Sequence, residues 1–154
     1  NTEANRCPGQ ENCADSTSNN FYITGVQLEL GSVATDYEHR SYGEELSLCE
    51  RYYHRHTANI AGAGICAGLI YGSTDAAAAY RYPTIMRANP TMSYSSAGDF
   101  RVLYTTTKVV TNIDAIETIS GARIWFTSSG MAAGNGMMID ANNTSCWLAF
   151  DAEL

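Results

Sequence analysis

The stretch FYITGVQLELGSVATDYEHRSYGEELSLCERYYHRH, residues 21–56, begins with an alternating apolar run. Its large apolar side chains are Phe21, Ile23, Val26, Leu28 and Leu30. Their parity changes once, at Gly25, where a bulge would return all of them to one face because glycine tolerates the bulge conformation. The run therefore predicts an N-terminal strand that ends at Gly31.

A helix-start signal follows the run and a short polar connector. Ser41 can accept a hydrogen bond from the backbone of Glu44, whose side chain can bond back to Ser41, as in a capping box. Leu46, Cys49 and Tyr53 then recur at helical spacing. We predict a helix over residues 42–55 whose apolar stripe packs against copies of itself, an arrangement that fits a dimer as well as a trimer.

The remaining chain consists of short strand patterns separated by Gly, Asn and Ser turns. In order, they are GICAGLIYG, AAAAYRYPTIMRANPTMSYSS, FRVLYTTT, IDAIETIS, ARIWFTSS, GMMIDA and SCWLAFDAEL. The second of these gives two strands broken around Asn89 and Pro90, and Pro83 within it suggests an edge position or a bulge. Strands at a spacing of roughly ten residues are typical of a sandwich or a barrel. We expect a mainly β chain, in which the N-terminal strand and one helix lead into an antiparallel β-sandwich head.

Composition narrows the classes of partner. Only 16% of the 154 residues are charged, against about 25% in a typical soluble domain, which indicates a head covered by other chains. A formal net charge of −7 excludes nucleic acid, whose binding needs clustered Lys and Arg. No apolar run approaches the roughly 18 residues of a spanning helix, so we expect no membrane insertion.

The cysteine count is 5, an odd number without the spacing of a zinc site or a disulfide framework. Cys7 and Cys13 can close a small disulfide loop or remain free thiols. Cys49, Cys66 and Cys146 lie in apolar patterns, where cysteine acts as a small hydrophobe. We therefore expect the chain to fold in a reducing cytoplasm.

Residues 23–53, ITGVQLELGSVATDYEHRSYGEELSLCERYY, closely resemble a segment near the C-terminus of many bacteriophage tail-fibre and tail-spike proteins. In that family a TGVQLE-G strand closes one β domain, and a helix reading HRSYGEEL-x-x-C-x-RYY leads into the terminal domain. Tyr37 stands where the pattern often has Phe. The stretch YRYPTIMRANPT, residues 80–91, is similar to the family's FP-x-x-MRA-x-PT segment, and the resemblance ends near Ser96.

The resemblance implies an intertwined homotrimer in which Leu46, Cys49 and Tyr53 form the trimer interface. It divides the chain into residues 1–31, the end of a preceding β domain or fibre shaft, residues 32–58, a connector and trimerisation helix, and residues 59–154, the head. The implied protein is assembled in the host cytoplasm and carried on the virion tail. Its implied partners are sister chains, other tail proteins, and a host surface glycan or outer-membrane receptor.

The sequence predicts neither a metal site nor a hydrolase. Some phage fibres hold iron through His-x-His on a three-fold axis, but His54 and His56 on a helix would point about 200° apart, so we expect a solvated helix end and no metal or cofactor. Glycoside hydrolysis needs two carboxyls about 5–10 Å apart, and no motif places such a pair. We expect no enzymatic activity. The scattered acids are Asp99, Asp114, Glu117, Asp140, Asp151 and Glu153.

Receptor contacts are expected in turns and on outward aromatic side chains. Tyrosine and tryptophan stack on sugar rings while their polar atoms stay in water. The residues selected are Tyr94, Asp99, Asn135, Asn142 and Trp147. Trp125, between apolar neighbours, is expected to pack in the core or against another chain. Three functions stay open: a receptor-binding fibre tip, a structural fibre or baseplate joint without host binding, and a glycan depolymerase.

Overall fold

The structure is a computed structural model that describes residues 18, 20 and 22–153. The chain separates into two compact units, Asn1–Arg40 and Ser41–Leu154. Cys7, Cys13 and Phe21, for which a disulfide alternative and a strand position were predicted, lie outside the described residues.

Residues 22–40 of the first unit form no helix or strand, which differs from the predicted N-terminal strand. Leu28 and Leu30 are fully exposed. A strand needs a neighbouring strand for its backbone hydrogen bonds, and the described residues of this unit supply none. Side chains bond the backbone instead: the Glu29 carboxylate accepts from the Thr35 N–H at 2.6 Å.

The second unit begins with helix α1, Tyr42–Glu50, and its capping box is present as predicted. The Glu44 N–H donates to Ser41 Oγ at 3.3 Å, and the Ser41 N–H donates to Glu44 Oε2 at 3.1 Å. The predicted C-terminal end is wrong. The helix stops at Glu50 because the next residues pair with the last strand of the chain.

Ten strands follow α1 in the part of the chain that the structure describes. They are β1 (Tyr53–Thr57), β2 (Gly64–Ile70), β3 (Asp75–Arg81), β4 (Thr91–Tyr94), β5 (Phe100–Leu103), β6 (Thr107–Val109), β7 (Asn112–Thr118), β8 (Gly121–Thr127), β9 (Gly136–Ala141) and β10 (Trp147–Asp151). A short 3-10 turn, Ala97–Asp99, precedes β5.

The strands form two antiparallel sheets. The three-stranded sheet has the order β1-β10-β4, and the seven-stranded sheet has the order β6-β5-β9-β2-β3-β8-β7. The prediction of a mainly β, sandwich-like fold with one helix is confirmed. The homotrimer and the predicted domain boundaries stay predictions.

The core lies between the inner faces of the two sheets. Its largest fully buried side chains include Phe100, Phe126 and Phe150. The Phe150 ring lies 5.2 Å from Tyr80 and 4.7 Å from Tyr82, centroid to centroid. Each aromatic side chain of this size removes about 150–250 Å² from water on burial, so these rings dominate the stability of the head.

Two hydrogen bonds join the sheets at one side of the sandwich, where edge strands β4 and β7 meet. The Met92 N–H donates to Glu117 Oε1 at 3.1 Å, and the Tyr94 hydroxyl donates to the Ile113 carbonyl at 3.3 Å. Glu117 thus satisfies a donor on an edge strand, which would otherwise be open for pairing with another chain.

Candidate receptor-binding surfaces

Two loops, residues 95–99 and 142–146, meet and form what we call the loop cluster. The Asn142 backbone N–H donates to the Asp99 carbonyl at 2.6 Å, and its side-chain amide donates to the Gly98 carbonyl at 2.9 Å. Asn143 Nδ2 donates to Asp99 Oδ1 at 2.7 Å. The structure therefore brings Asp99 and Asn142, two predicted contact residues, into one hydrogen-bonded group.

Tyr94 and Trp147 lie beside the loop cluster. Tyr94 pairs with Leu148 across β4 and β10, and the Trp147 N–H donates to Ser95 Oγ at 3.3 Å. The Trp147 side chain alternates with the buried Leu148 and points away from the core. The Arg55 guanidinium lies 4.5 Å from the centre of the indole ring, so one face of this ring is already occupied by a cation.

Asn135 lies apart from the other four predicted residues. It precedes β9, whereas Asn142 follows it, and a strand of this length separates its two ends by roughly 20 Å. The Asn135 side chain donates to the Ala132 carbonyl at 2.9 Å, and the backbone carbonyl of Asn135 accepts from the Ile70 N–H. Asn135 therefore belongs to a different surface of the head.

The three predicted interface residues are all exposed in the single chain. Leu46 is 42% exposed and Tyr53 is 45% exposed, and Cys49 is an exposed free thiol. Tyr53 does not continue the helical stripe, because it begins β1 opposite Asp151.

Cys66 differs from the exposed Cys49 thiol. Burial raises the pKa of the Cys66 thiol to about 12, which makes that thiol unreactive at neutral pH.

His54 and His56 lie on β1 rather than on a helix, so both side chains point to the same face of the strand. They face Tyr80, and His54 Nε2 lies 2.9 Å from the Tyr80 hydroxyl. His54 Nδ1 lies 3.7 Å from Glu50 Oε1. Burial lowers the pKa of His54, outweighing the attraction of Glu50, which alone would raise it.

His54 thus packs against core-facing groups. Over residues 22–153 and the two described positions before them, no group of three or more His, Cys, Asp or Glu side chains could hold a metal ion.

Most of the acids considered for hydrolysis take part in local structure. Asp140 is 2% exposed and accepts two hydrogen bonds from the Arg101 guanidinium, at 2.8 Å and 3.1 Å. Glu117 accepts from Met92, as described above. Three further acids each accept a hydrogen bond through the side-chain carboxylate: Asp99, Asp114 and Asp151. The backbone of Glu153 is the donor to Asp151.

A groove that sequence reasoning missed lies on the outer face of the seven-stranded sheet, at the β7–β8 hairpin. We call it the hairpin groove, and its volume is about 460 Å³. Its polar lining includes Arg81, Thr118, Ser120 and Arg123. Trp125 lies two residues beyond Arg123 on the same outer face and is only partly buried, so it does not take the core position, and packing against another chain stays a prediction.

Strand alternation in AAAAYRY and ARIWFTSS could have placed Arg81 and Arg123 on outer faces. The sequence could not show that β3 and β8 are neighbours, since that pairing joins strands far apart in the chain.

Comparison of the chain with protein-family models, with curated proteins and with solved structures finds no match. In the part of the chain that the structure describes, no helix has the length and apolar content needed to span a membrane.

Proposed function

We propose that this chain is a bacteriophage tail-fibre tip, a homotrimeric receptor-binding protein that attaches the virion to a host surface glycan. The observation that carries the proposal is the resemblance of residues 23–53 to the segment that precedes the terminal domain of phage fibres. The exposure of Leu46, Cys49 and Tyr53 supports it. A partner that covers these side chains removes apolar surface from water, which stabilises the assembly.

The outer face of the seven-stranded sheet gives further support for self-association. Leu69, Leu103 and Met138 are exposed there on three adjacent strands, β2, β5 and β9. Contiguous apolar area on a soluble protein is characteristic of interaction sites. Sister chains that cover the part of this face formed by β2, β5 and β9, and leave β3, β7 and β8 open, would account for the low charge content of the head.

The loop cluster is the proposed receptor contact. Asp99 and Asn142 are held by hydrogen bonds within it, so little conformational freedom is lost when a polar ligand binds. A trimer carries the same cluster on each chain, and simultaneous binding strengthens weak single contacts by raising the effective concentration.

The test is a pull-down of the purified full chain on whole cells from a panel of bacterial strains, with release of reducing sugar measured on the same samples. A fibre tip binds cells of some strains and releases no sugar. A trimer that binds none of the strains indicates a structural joint, and sugar release indicates a depolymerase.

Two asparagine variants locate the contact. We expect Asn142→Ala, in the loop cluster, to lower cell binding, and Asn112→Ala, exposed on β7, to leave it unchanged. Thermal unfolding of both proteins shows whether Asn142→Ala acts through the contact or through the fold. Equal cell binding by the two variants contradicts the assignment of the loop cluster.

A further inference from the structure

The hairpin groove is formed by three neighbouring strands whose register fixes its shape. Arg81 lies opposite Gly121, and Gly121 lies opposite Thr118. Two residues further along each strand, Ala79 lies opposite Arg123, and Arg123 lies opposite Ile116. Gly121 permits the close approach of β8 to β3 here, since a Cβ atom there would approach the Tyr80 carbonyl oxygen to 2.5 Å.

Two arginines of this groove are diagonal cross-strand neighbours, with Cβ atoms separated by roughly 7 Å. Two positive charges at this separation repel each other, and an anion bound between them would relieve that repulsion. Among the described residues, the lining contains no Asp or Glu, although the chain has 16 acidic and 9 basic residues. The groove is therefore positively charged on a negatively charged protein.

Among the described residues, neither Arg81 nor Arg123 makes an ion pair with a carboxylate. The Arg123 guanidinium lies 4.9 Å from the centre of the Trp125 ring, which orients it without neutralising it. Asp114 lies on the same outer face, opposite Trp125, and it accepts a hydrogen bond from Asn112 at 2.8 Å. Arg101 contrasts with both, because Asp140 neutralises it.

The remaining lining suits the rest of a sugar. Ser120 is exposed at the hairpin turn and carries a hydroxyl that can donate or accept. Thr118 Oγ1 donates to the Gly121 carbonyl at 2.8 Å, which fixes the turn. Ile116 is 60% exposed and offers an apolar wall against which the C–H face of a ring can pack.

We propose that the hairpin groove binds an anionic saccharide through a carboxylate or phosphate group held between Arg81 and Arg123. Planar guanidinium groups bind both anions with paired hydrogen bonds, which are among the stronger contacts available to a protein. The anion-binding part of this proposal rests on the groove itself. The saccharide part rests on the proposed function, and it adds to the loop cluster a contact selective for charge.

The experiment is an amide NMR titration of the isotopically labelled full chain with glucuronic acid, with glucose as the neutral match and inorganic phosphate as the free anion. We expect glucuronic acid to shift the signals of residues 79–81 and 116–123. Glucose at the same concentration leaves these signals in place, and phosphate shifts them more weakly.

Three variants test the residues. Arg81→Gln and Arg123→Gln should each weaken glucuronic acid binding about tenfold or more, because each removes a charge-assisted hydrogen bond. Arg87→Gln removes the same charge from a residue that lies over the Tyr52 ring, outside the groove, and should leave binding unchanged.

Several results overturn the proposal. Equal binding of glucose shows that charge plays no part, and phosphate binding as tight as that of glucuronic acid removes the saccharide part. Unchanged affinity in both groove variants removes the assigned residues. A change in assembly mass in these variants assigns the arginines to a contact with a second copy of the chain.

The two proposals fail separately. A chain that binds glucuronic acid but no bacterial cell contradicts the fibre-tip function and leaves the anion site standing. Unchanged cell binding by the Arg81→Gln and Arg123→Gln variants contradicts a role of the hairpin groove in attachment.

Discussion

Tyr80 and Tyr82 show how two similar buried residues differ in their polar contacts. Both are 8% exposed and contact Phe150. The Tyr80 hydroxyl bonds to His54, whereas the Tyr82 hydroxyl has no hydrogen-bond partner among the described residues. Burial raises the pKa of both phenols, that of Tyr80 to about 12, so both stay neutral.

We predict that Tyr80→Phe lowers the free energy of unfolding by about 1 kcal/mol, the usual contribution of one hydrogen bond. Tyr82→Phe should cost less, because it removes no hydrogen bond within the chain. Thermal unfolding of both variants measures the difference. A larger loss in Tyr82→Phe than in Tyr80→Phe would contradict this account of the His54–Tyr80 contact.

His54 should make stability depend on pH. Its pKa in the folded chain lies below the ordinary value of 6.5, chiefly through burial. Above pH 6.5 the imidazole is neutral in both states, and its contribution to stability is complete. As the pH falls below 6.5 the unfolded chain takes up the proton first, so stability declines until the folded-state pKa is reached.

The measurement is the midpoint of thermal unfolding at pH 8 and at pH 5, for the wild type and for His54→Gln. We expect a larger fall with acid in the wild type than in the variant. An equal fall in both proteins would show that other groups cause the pH dependence.

At the scale of elements, Gly68 is the strand glycine with the least room for a side chain, and it lies where β2 pairs with β3. A Cβ atom on Gly68 would overlap the Ala77 carbonyl, whereas one on Gly136, in the neighbouring β9, would meet no atom within 4 Å. Gly68 therefore permits a strand spacing that no other residue allows.

We predict that Gly68→Ala destabilises the head by about 1–3 kcal/mol, the usual cost of overpacking. Gly136→Ala is the matched control and should change the stability by less than about 0.5 kcal/mol. Denaturant unfolding of both variants provides the comparison. Equal stability of the two proteins would contradict the described register of β2 against β3.

Elements governed by local signals could be predicted from the sequence. The start of α1 follows from Ser41 and Glu44, and each strand pattern after residue 63 overlaps at least one observed strand. The end of α1 could not be predicted, because β1 exists through pairing with β10, at the other end of the chain. The predicted N-terminal strand, which was expected to end at Gly31, has no such partner among the described residues of its unit.

The candidate sites also combine residues that the sequence predicts with neighbours that only the fold brings together. Sequence patterns selected Asp99 and Asn142 as turn residues, and the fold brings their loops together. The hairpin groove could not be predicted, since Arg81 and Arg123 become neighbours only through the pairing of β3 with β8. The apolar residues beside Trp125 in sequence allowed either a core or an interchain position, and strand alternation turns its side chain outward.

At the scale of the whole molecule, the proposed function depends on self-association. Leu46 and Leu48 of α1 and the apolar residues of the outer sheet face are exposed in the part of the chain that the structure describes, and exposed apolar patches mark interaction sites. Leu46 is the most direct position to test. Ser47, on the adjacent helix position and also exposed, is its matched control.

The decisive measurement is the mass of the purified full chain by light scattering, together with Leu46→Glu and Ser47→Glu. Three chains of 16.7 kDa give about 50 kDa, which we expect for the wild type and for Ser47→Glu. Leu46→Glu should shift the mass toward one chain, because a carboxylate buried at an apolar contact is strongly unfavourable. A wild-type mass of 16.7 kDa at working concentrations would contradict the account.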